Sequence, residues 1–319
     1  MFAYIIRRLI ILVPMLLVIS FLVYGGIELM PGDAVDYMVP PDQLANISPE
    51  DLESLREELG LNDPFMVKYI NWLGDAVTGD FGYSLASGLP VSQLIMARLP
   101  RTLELAMAAL LISTLLGSFL GVVSAKRSGT VSDNVLTVAG MIGVSIPQFF
   151  FGMLLILMVL KYGWDIPING KLMRGNEPLF EHLLYLLPPA IILGISLTAG
   201  VMRYSRASML SSMNKDFIKT ARSKGMPEWR VNLLHGLRVA MTPVVILVGF
   251  RIPVLFGGSV IIESVFQWPG IGSLFVDSVV SQNTPIVMTV ALFTVFLVLV
   301  ASFVVDIITA LLDPRVKIS

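Results

Sequence analysis

The residues able to do chemistry in this chain are few, and their types exclude more than they supply. Cysteine is absent, which removes disulfides, thiol nucleophiles and cysteine-based zinc sites. The only histidines are His182 and His235, too few for a histidine-rich metal site. Serines are plentiful, yet no Ser–His pair falls at membrane depth in an obvious site, which argues against an intramembrane enzyme. No G-x-x-x-x-G-K-[ST] phosphate loop occurs, so the chain is expected to bind no nucleotide, hold no metal and contain no catalytic residue. What remains is charge in unusual places. Arg251 and Glu263 interrupt an apolar stretch. A basic run holds Arg203, Arg206, Lys215, Lys219, Arg222, Lys224, Arg230 and Arg238.

These charges need a framework, and the composition names it. The chain has 319 residues, 55% hydrophobic and 14% charged, with a mean hydropathy of +0.80. A soluble domain carries about 25% charged residues. A net charge of −1 gives no basic field for nucleic acid. Apolar stretches long enough to span lipid run over Leu9–Met30, Thr102–Ala125, Val135–Leu160, His182–Met202, Ala240–Ile262 and Pro285–Leu312. The expected fold is therefore an all-α membrane protein with six transmembrane helices. The first stretch is too long for a signal-peptide core and lacks a cleavage site after it, so it reads as a retained helix.

Orientation follows from lysine and arginine in the short loops. Arg7 and Arg8, Lys126 and Arg127, the run from Arg203 to Arg238, and Arg315 with Lys317 all fall on one side of six spans. That side is expected to be the cytoplasm, with both termini inside. The segment 31–100 on the other side is acidic. The expected division is residues 1–30 as N-terminus and first helix, 31–100 as a partly helical extracytoplasmic segment, and 101–319 as a five-helix core. Ser48 before Pro49 is an N-cap with proline at the first helical position. Asn62-Asp63-Pro64 repeats the device, and Phe65, Tyr69, Trp72 and Leu73 then share a face at helical spacing.

The connection over residues 203–239 is long for a loop between membrane helices. Its composition predicts a helix over Ser205–Ser212, a second over Asp216–Lys224, a stop at Gly225 and a restart after Pro227 that runs to Arg238. Gly225 suits a left-handed residue closing a helix, and Pro227 suits a first turn. Such a unit, fixed between two spans, can transmit a push. It can also be read as a basic segment lying on anionic lipid.

A central arginine costs about 2.5–3.5 kcal/mol on insertion scales. Arg251 should therefore face a translocation path, where it would bind an anionic group, or pair with a carboxylate such as Asp306 or one on a partner. Glu263 precedes Phe266-Gln267-Trp268-Pro269, which reads as an outer gate, a binding-protein contact or an interfacial tryptophan anchor. Glu104 and Asp306 read as capping or pairing groups. Gly117 and Gly121 form a small-residue face suited to helix packing.

The stretch Asp216-Phe217-Ile218-Lys219-Thr220-Ala221-Arg222-Ser223-Lys224-Gly225 resembles the EAA-type loop of ABC importer permeases, in its dipeptide/oligopeptide variant. The likeness continues through His235-Gly236-Leu237-Arg238 and Pro243-Val244. Further blocks fit the same subfamily in order. They are Tyr4–Leu9 with Met30–Asp33, Gly60–Pro64 with Gly79–Ser84, Arg98–Leu105, Ser145–Phe149, Glu263–Gly270 and Asp313–Arg315. Lys219 stands where the motif's glutamate would be, and Pro243 comes later than the usual closing Leu-Pro. Both departures separate the chain from sugar-type permeases.

The resemblance implies one half of a pore, completed by a second homologous permease, two cytoplasmic ABC ATPases that use ATP and Mg, and an extracytoplasmic solute-binding protein. The chain is then a non-catalytic transport subunit of a prokaryotic inner membrane, in contact with lipid. Its coupling residues are Asp216, Lys219, Thr220, Ala221, Arg222, Lys224 and Gly225. Arg251 and Glu263 are the candidates for the pathway. Cargo would be di- or oligopeptides, or alternatively nickel chelates or oligosaccharides. An ion-coupled secondary transporter would need intramembrane carboxylates and usually an inverted repeat, neither of which is evident.

Overall fold

A computed structural model describes residues 2–29, 48–58, 61–172 and 178–312. The blocks Met30–Asp33 and Asp313–Arg315, Gly60 and the charges Arg315 and Lys317 lie outside them. The described residues are helical apart from short connections and one isolated bridge between Tyr83 and Pro90. Five helices are long and apolar enough to cross a membrane: Ile10–Glu28, Val91–Lys126, Leu179–Met213, Glu228–Gly257 and Thr284–Thr309. A sixth crossing is made if the pair Val131–Ser145 and Gln148–Tyr162, bent by 93°, counts as one span.

That bend corrects the straight span expected over Val135–Leu160. Proline at 147 disfavours helical backbone at the residue before it. Ile146 accordingly takes φ −89° and ψ 129°, and the helix stops. Hydropathy cannot register the break, because both arms are apolar.

The chain divides into two compact units. Residues 1–101 and 270–300 make up the first, with 318–319. It holds α1 (Phe2–Glu28), α2 (Pro49–Glu58), α3 (Phe65–Thr78) and the start of α4 (Val91–Lys126). Ser48 caps α2 as expected, its Oγ accepting from the Asp51 N–H at 3.1 Å. The aromatic face of α3 packs on α1. Phe21 meets Phe65 and Tyr69 edge-on at 5.4 and 5.3 Å between centroids, and the Tyr69 and Ser20 hydroxyls share a 2.8 Å hydrogen bond. Lys68 pairs with Glu28 at the end of α1.

The same unit holds α11 (Ile271–Val280), a short apolar helix the hydropathy reading did not anticipate. Val91 and Ile95 pack with Ile271, Leu274, Ile286 and Val290. The last two lie on the unit's portion of the helix Thr284–Leu312, α12. Asn283 ties the turn before α4 into this core, donating to the Ser84 Oγ at 2.9 Å and accepting from the Leu85 N–H at 3.2 Å.

The second unit covers residues 102–269 and 301–317. It holds the rest of α4, the bent pair α5 (Val131–Ser145) and α6 (Gln148–Tyr162), and α7 (Leu179–Met213). After α7 come α8 (Asp216–Ser223), α9 (Glu228–Arg230), a π-helical turn (Val231–Leu237) and α10 (Arg238–Val265). Its core joins Leu105, Ala109, Leu193, Ile262, Phe266 and Trp268. The glycine face of α4 packs as expected. A Cβ on Gly117 would stand 2.9 Å from the Thr198 carbonyl, and one on Gly121 would stand 2.6 Å from the Met202 carbonyl. Backbones approach this closely only where a side chain is missing.

Two helices are longer than expected, for one reason. Residues 205–212 continue α7 without interruption, and the helix after Pro227 runs into α10 without a break. At about 1.5 Å per residue, α7 is roughly 52 Å long and exceeds a ~30 Å hydrocarbon core. The basic segment is therefore a rigid extension of two spans.

Candidate functional site

The segment 214–227 joins these two extensions. Only Asn214 and Lys215 separate α7 from α8. One face of α8 is apolar: Ile218 and Ala221 are buried with Val231, against Met213 and Met226. This small core clamps α8 onto the start of the next helix. Lys224, Gly225, Met226 and Pro227 make the reversal. Gly225 has φ +73°, its N–H donates to the Arg222 carbonyl at 2.9 Å, and the Met226 N–H reaches back to the Ala221 carbonyl at 3.3 Å. That pair of bonds is the Schellman closure. Pro227 sits at the N-cap of α9, just before the helical residue expected of it.

The expected coupling residues divide by direction. Asp216, Lys219, Thr220, Arg222, Lys224 and Gly225 are exposed, whereas Ala221 faces the small core. Three of these exposed charges, Asp216, Lys219 and Arg222, are already partnered locally. Lys219 Nζ lies 2.9 Å from Asp216 Oδ1, and Arg222 Nε donates to Glu228 Oε1 at 2.8 Å. The second pair spans the reversal and adds a strap across it. Exposed pairs of this kind contribute about 0–1 kcal/mol each, so they set orientation more than stability. Among the described residues nothing crowds Gly225, since a Cβ there would have open space to 4 Å.

Two residues around this element escaped the sequence reading. Phe217 is exposed on α8, and Trp229 is 58% exposed on α9 with the Arg230 guanidinium over its ring at 5.2 Å. Exposed aromatics beside charges are the residues that anchor protein interfaces. The readable signal was large aromatic side chains inside an otherwise polar loop.

A buried ion pair braces the end of α7 that leads to this site. Arg206 donates to both oxygens of Asp133, from Nε at 2.8 Å and Nη2 at 2.7 Å. Asp133 is buried at the start of α5 and also accepts from Ser124 and from the Gly129 N–H. The carboxylate therefore holds three segments together: the end of α4, the turn after it and α7.

The two pathway candidates lie elsewhere, on α10. They stand about 18 Å apart along its axis at 1.5 Å per residue. Arg251 is half-buried, and its Nη1 donates 2.7 Å to the Leu197 carbonyl of α7, not to Asp306, the partner expected within the chain. Glu263 is wholly buried beneath the segment that follows α10. There the Trp268 N–H donates to the Glu263 carbonyl at 2.8 Å, Gln267 adopts φ +50°, and the Gly170 N–H bonds the Phe266 carbonyl at 2.9 Å. Trp268 has no exposed surface, which corrects the reading of it as an interfacial anchor. Glu104 pairs with His182, whose ring lies 6.1 Å from that of Trp268. Among the described residues no group of three or more His, Cys, Asp or Glu is placed to hold a metal.

Apolar helices of spanning length, two of them joined through a charged reversal, define a multi-pass membrane protein. The chain belongs to the family of binding-protein-dependent transport system inner membrane components, whose model matches residues 117–318. The companion model for the N-terminal part of such membrane components matches residues 1–106. It is thus a permease subunit of an ABC importer, a class that works with a binding protein and an ATPase.

The chain is 42% identical to the oligopeptide transport system permease protein AppB of Bacillus subtilis, over 99% of this chain and 100% of that one. It is 31% identical to the dipeptide transport system permease protein DppB of Escherichia coli K12, over 99% of both. It is 34% identical to the glutathione transport system permease protein GsiC of the same strain, over 99% of both. A solved structure described as an amino acid ABC transporter with histidines shares the fold, with a TM-score of 0.54 and 18% identity over 68% of this chain and 94% of that one.

Proposed function

We propose that this chain forms one half of a translocation pathway for di- or oligopeptides, paired with a second, homologous permease. Two ATPases and an extracytoplasmic binding protein complete the complex, and the chain itself binds no nucleotide and catalyses nothing. The observation that carries the coupling role is the clamp under α8. Its apolar face is seated on Val231, while its charged face is exposed. A helix held this way on two spans cannot yield independently of them.

The direction of force then follows. The exposed face of α8, with Asp216, Lys219, Thr220, Arg222 and Lys224, docks in a groove of one ATPase on the cytoplasmic side. Closure of the ATPases displaces α8, and α7 and α10 move with it, giving alternating access. The relatives named for oligopeptides, dipeptides and glutathione support the cargo class.

The test is ATP hydrolysis by the native complex in lipid, with and without peptide-loaded binding protein. Peptide-dependent stimulation is expected. Stimulation by a metal chelate or an oligosaccharide in place of peptides would replace the cargo, and a complex without any co-purifying ATPase would overturn the coupling role.

A further inference from the structure

Arg251 is a cation near the middle of a spanning helix, and the bonds it makes do not neutralise it. Its described hydrogen bond goes to a backbone carbonyl, that of Leu197. Its Nη2 lies against Gly200, where any Cβ would collide with it. The bare backbone of α7 thus seats the guanidinium in one position while leaving its charge intact. Arg203, one turn beyond Gly200 on α7, is exposed. Among the described residues neither arginine is bonded to a carboxylate.

A guanidinium near the middle of a spanning helix that is bonded only to a backbone carbonyl keeps its full charge, and an anion from outside would relieve it. A guanidinium carries five N–H donors in a fixed fork that matches a carboxylate. Arg251 lies about 20 Å along the helix from either end of α10, much further than an arginine side chain extends. A permanent ion pair with a neighbouring subunit would orient the side chain by itself. Seating on a carbonyl and a glycine is what a transient ligand requires, because the fork must stand ready while empty.

We propose that Arg251, flanked by Arg203, is a carboxylate-reading point on the cargo path that favours peptides bearing an acidic side chain. This rests on the peptide-importer reading above. Gly200 is the residue that makes room for it, and Leu197 the one that aims it.

The test uses the complete complex in proteoliposomes. One binding protein delivers two peptides of equal length that differ at one position, Glu against Lys. The binding protein is common to all arms, so a change in the Glu/Lys uptake ratio between wild type and variant belongs to the permease. Arg251→Gln is expected to lower that ratio about tenfold, which corresponds to about 1.4 kcal/mol. Arg251→Lys should fall between the two, and Arg203→Gln should lower the ratio about threefold. An unchanged ratio in Arg251→Gln overturns the proposal. So does loss of the second permease when the Arg251→Gln complex is purified, which would assign the missing carboxylate to that subunit. A wild-type complex that imports neither peptide removes the cargo reading and this proposal with it, a result separate from the other two.

Discussion

Replacing Gly225 separates two forces that act on the coupling reversal. The residue holds φ +73°, and a Cβ would meet nothing within 4 Å. Steric crowding inside this chain is therefore absent, and the intrinsic cost of a side chain is the left-handed backbone alone. That cost is about 1–2 kcal/mol for an ordinary residue, larger for a β-branched one and smaller for Asn or Asp. A penalty of this size lowers the equilibrium constant between the native reversal and its open forms by a factor of about 5–30. Gly225→Val should then loosen the Arg222–Glu228 strap and reduce peptide-driven stimulation of ATP hydrolysis at least fivefold, with insertion unchanged. Gly225→Asp carries little backbone strain, so its loss of transport would report close approach of the ATPase to the reversal. The assay is stimulated ATPase and peptide uptake in proteoliposomes, with tryptic cleavage at Arg222 and Lys224 as the measure of local opening. Wild-type uptake by both variants would refute the docking of this reversal on the ATPase.

Further outcomes follow from packing elsewhere. Ile218→Ala removes a buried side chain from the clamp under α8, at a cost of about 2–5 kcal/mol. It should uncouple ATP hydrolysis from transport while the spans still insert, as read by the ratio of peptide imported to ATP consumed. Gly121→Ala places a Cβ 2.6 Å from the Met202 carbonyl, whereas Gly140→Ala meets Ala199 and the Met202 sulfur at an ordinary 3.5 and 3.8 Å. The first should lower the midpoint of thermal unfolding in detergent, by about 1–3 kcal/mol of overpacking, and the second should leave it within error. Arg206→Ala strands Asp133, whose side chain is only 4% exposed, and should lower the unfolding midpoint in the same assay.

Local chemistry was readable wherever it acted within a few residues. The cap at Ser48, the aromatic stripe from Phe65 to Trp72 and the left-handed stop at Gly225 each rest on near neighbours. The assignment of α8 as a discrete helix also held, because Gly225 punctuates it. Contacts across long separations were not readable. Nothing near Asp133 in the sequence points to Arg206, and nothing near Arg251 points to the Leu197 carbonyl. The bend after Ser145 hid for another reason. Pro147 announces it, but an apolar run on both sides outweighs one residue in a hydropathy window. The charge at the end of α7 suggests a loop and a new helix, whereas a helix that leaves the membrane simply changes its surface. The burial of Trp268 required the fold around Gly170.

The π turn at Val231–Leu237 has a mechanical meaning of its own. A π turn holds one residue more than the α-helical pitch needs, so that residue is a stored increment of thread. Within it lies Gly236, where a Cβ would stand 2.9 Å from the Met213 sulfur at the end of α7. If the increment were taken up, every side chain beyond it would turn by about 100° about the helix axis. The turn lies between α9 and α10, in a helix that otherwise runs unbroken. A change there would convert a small axial shift into a twist of everything beyond it, without a break in the helix.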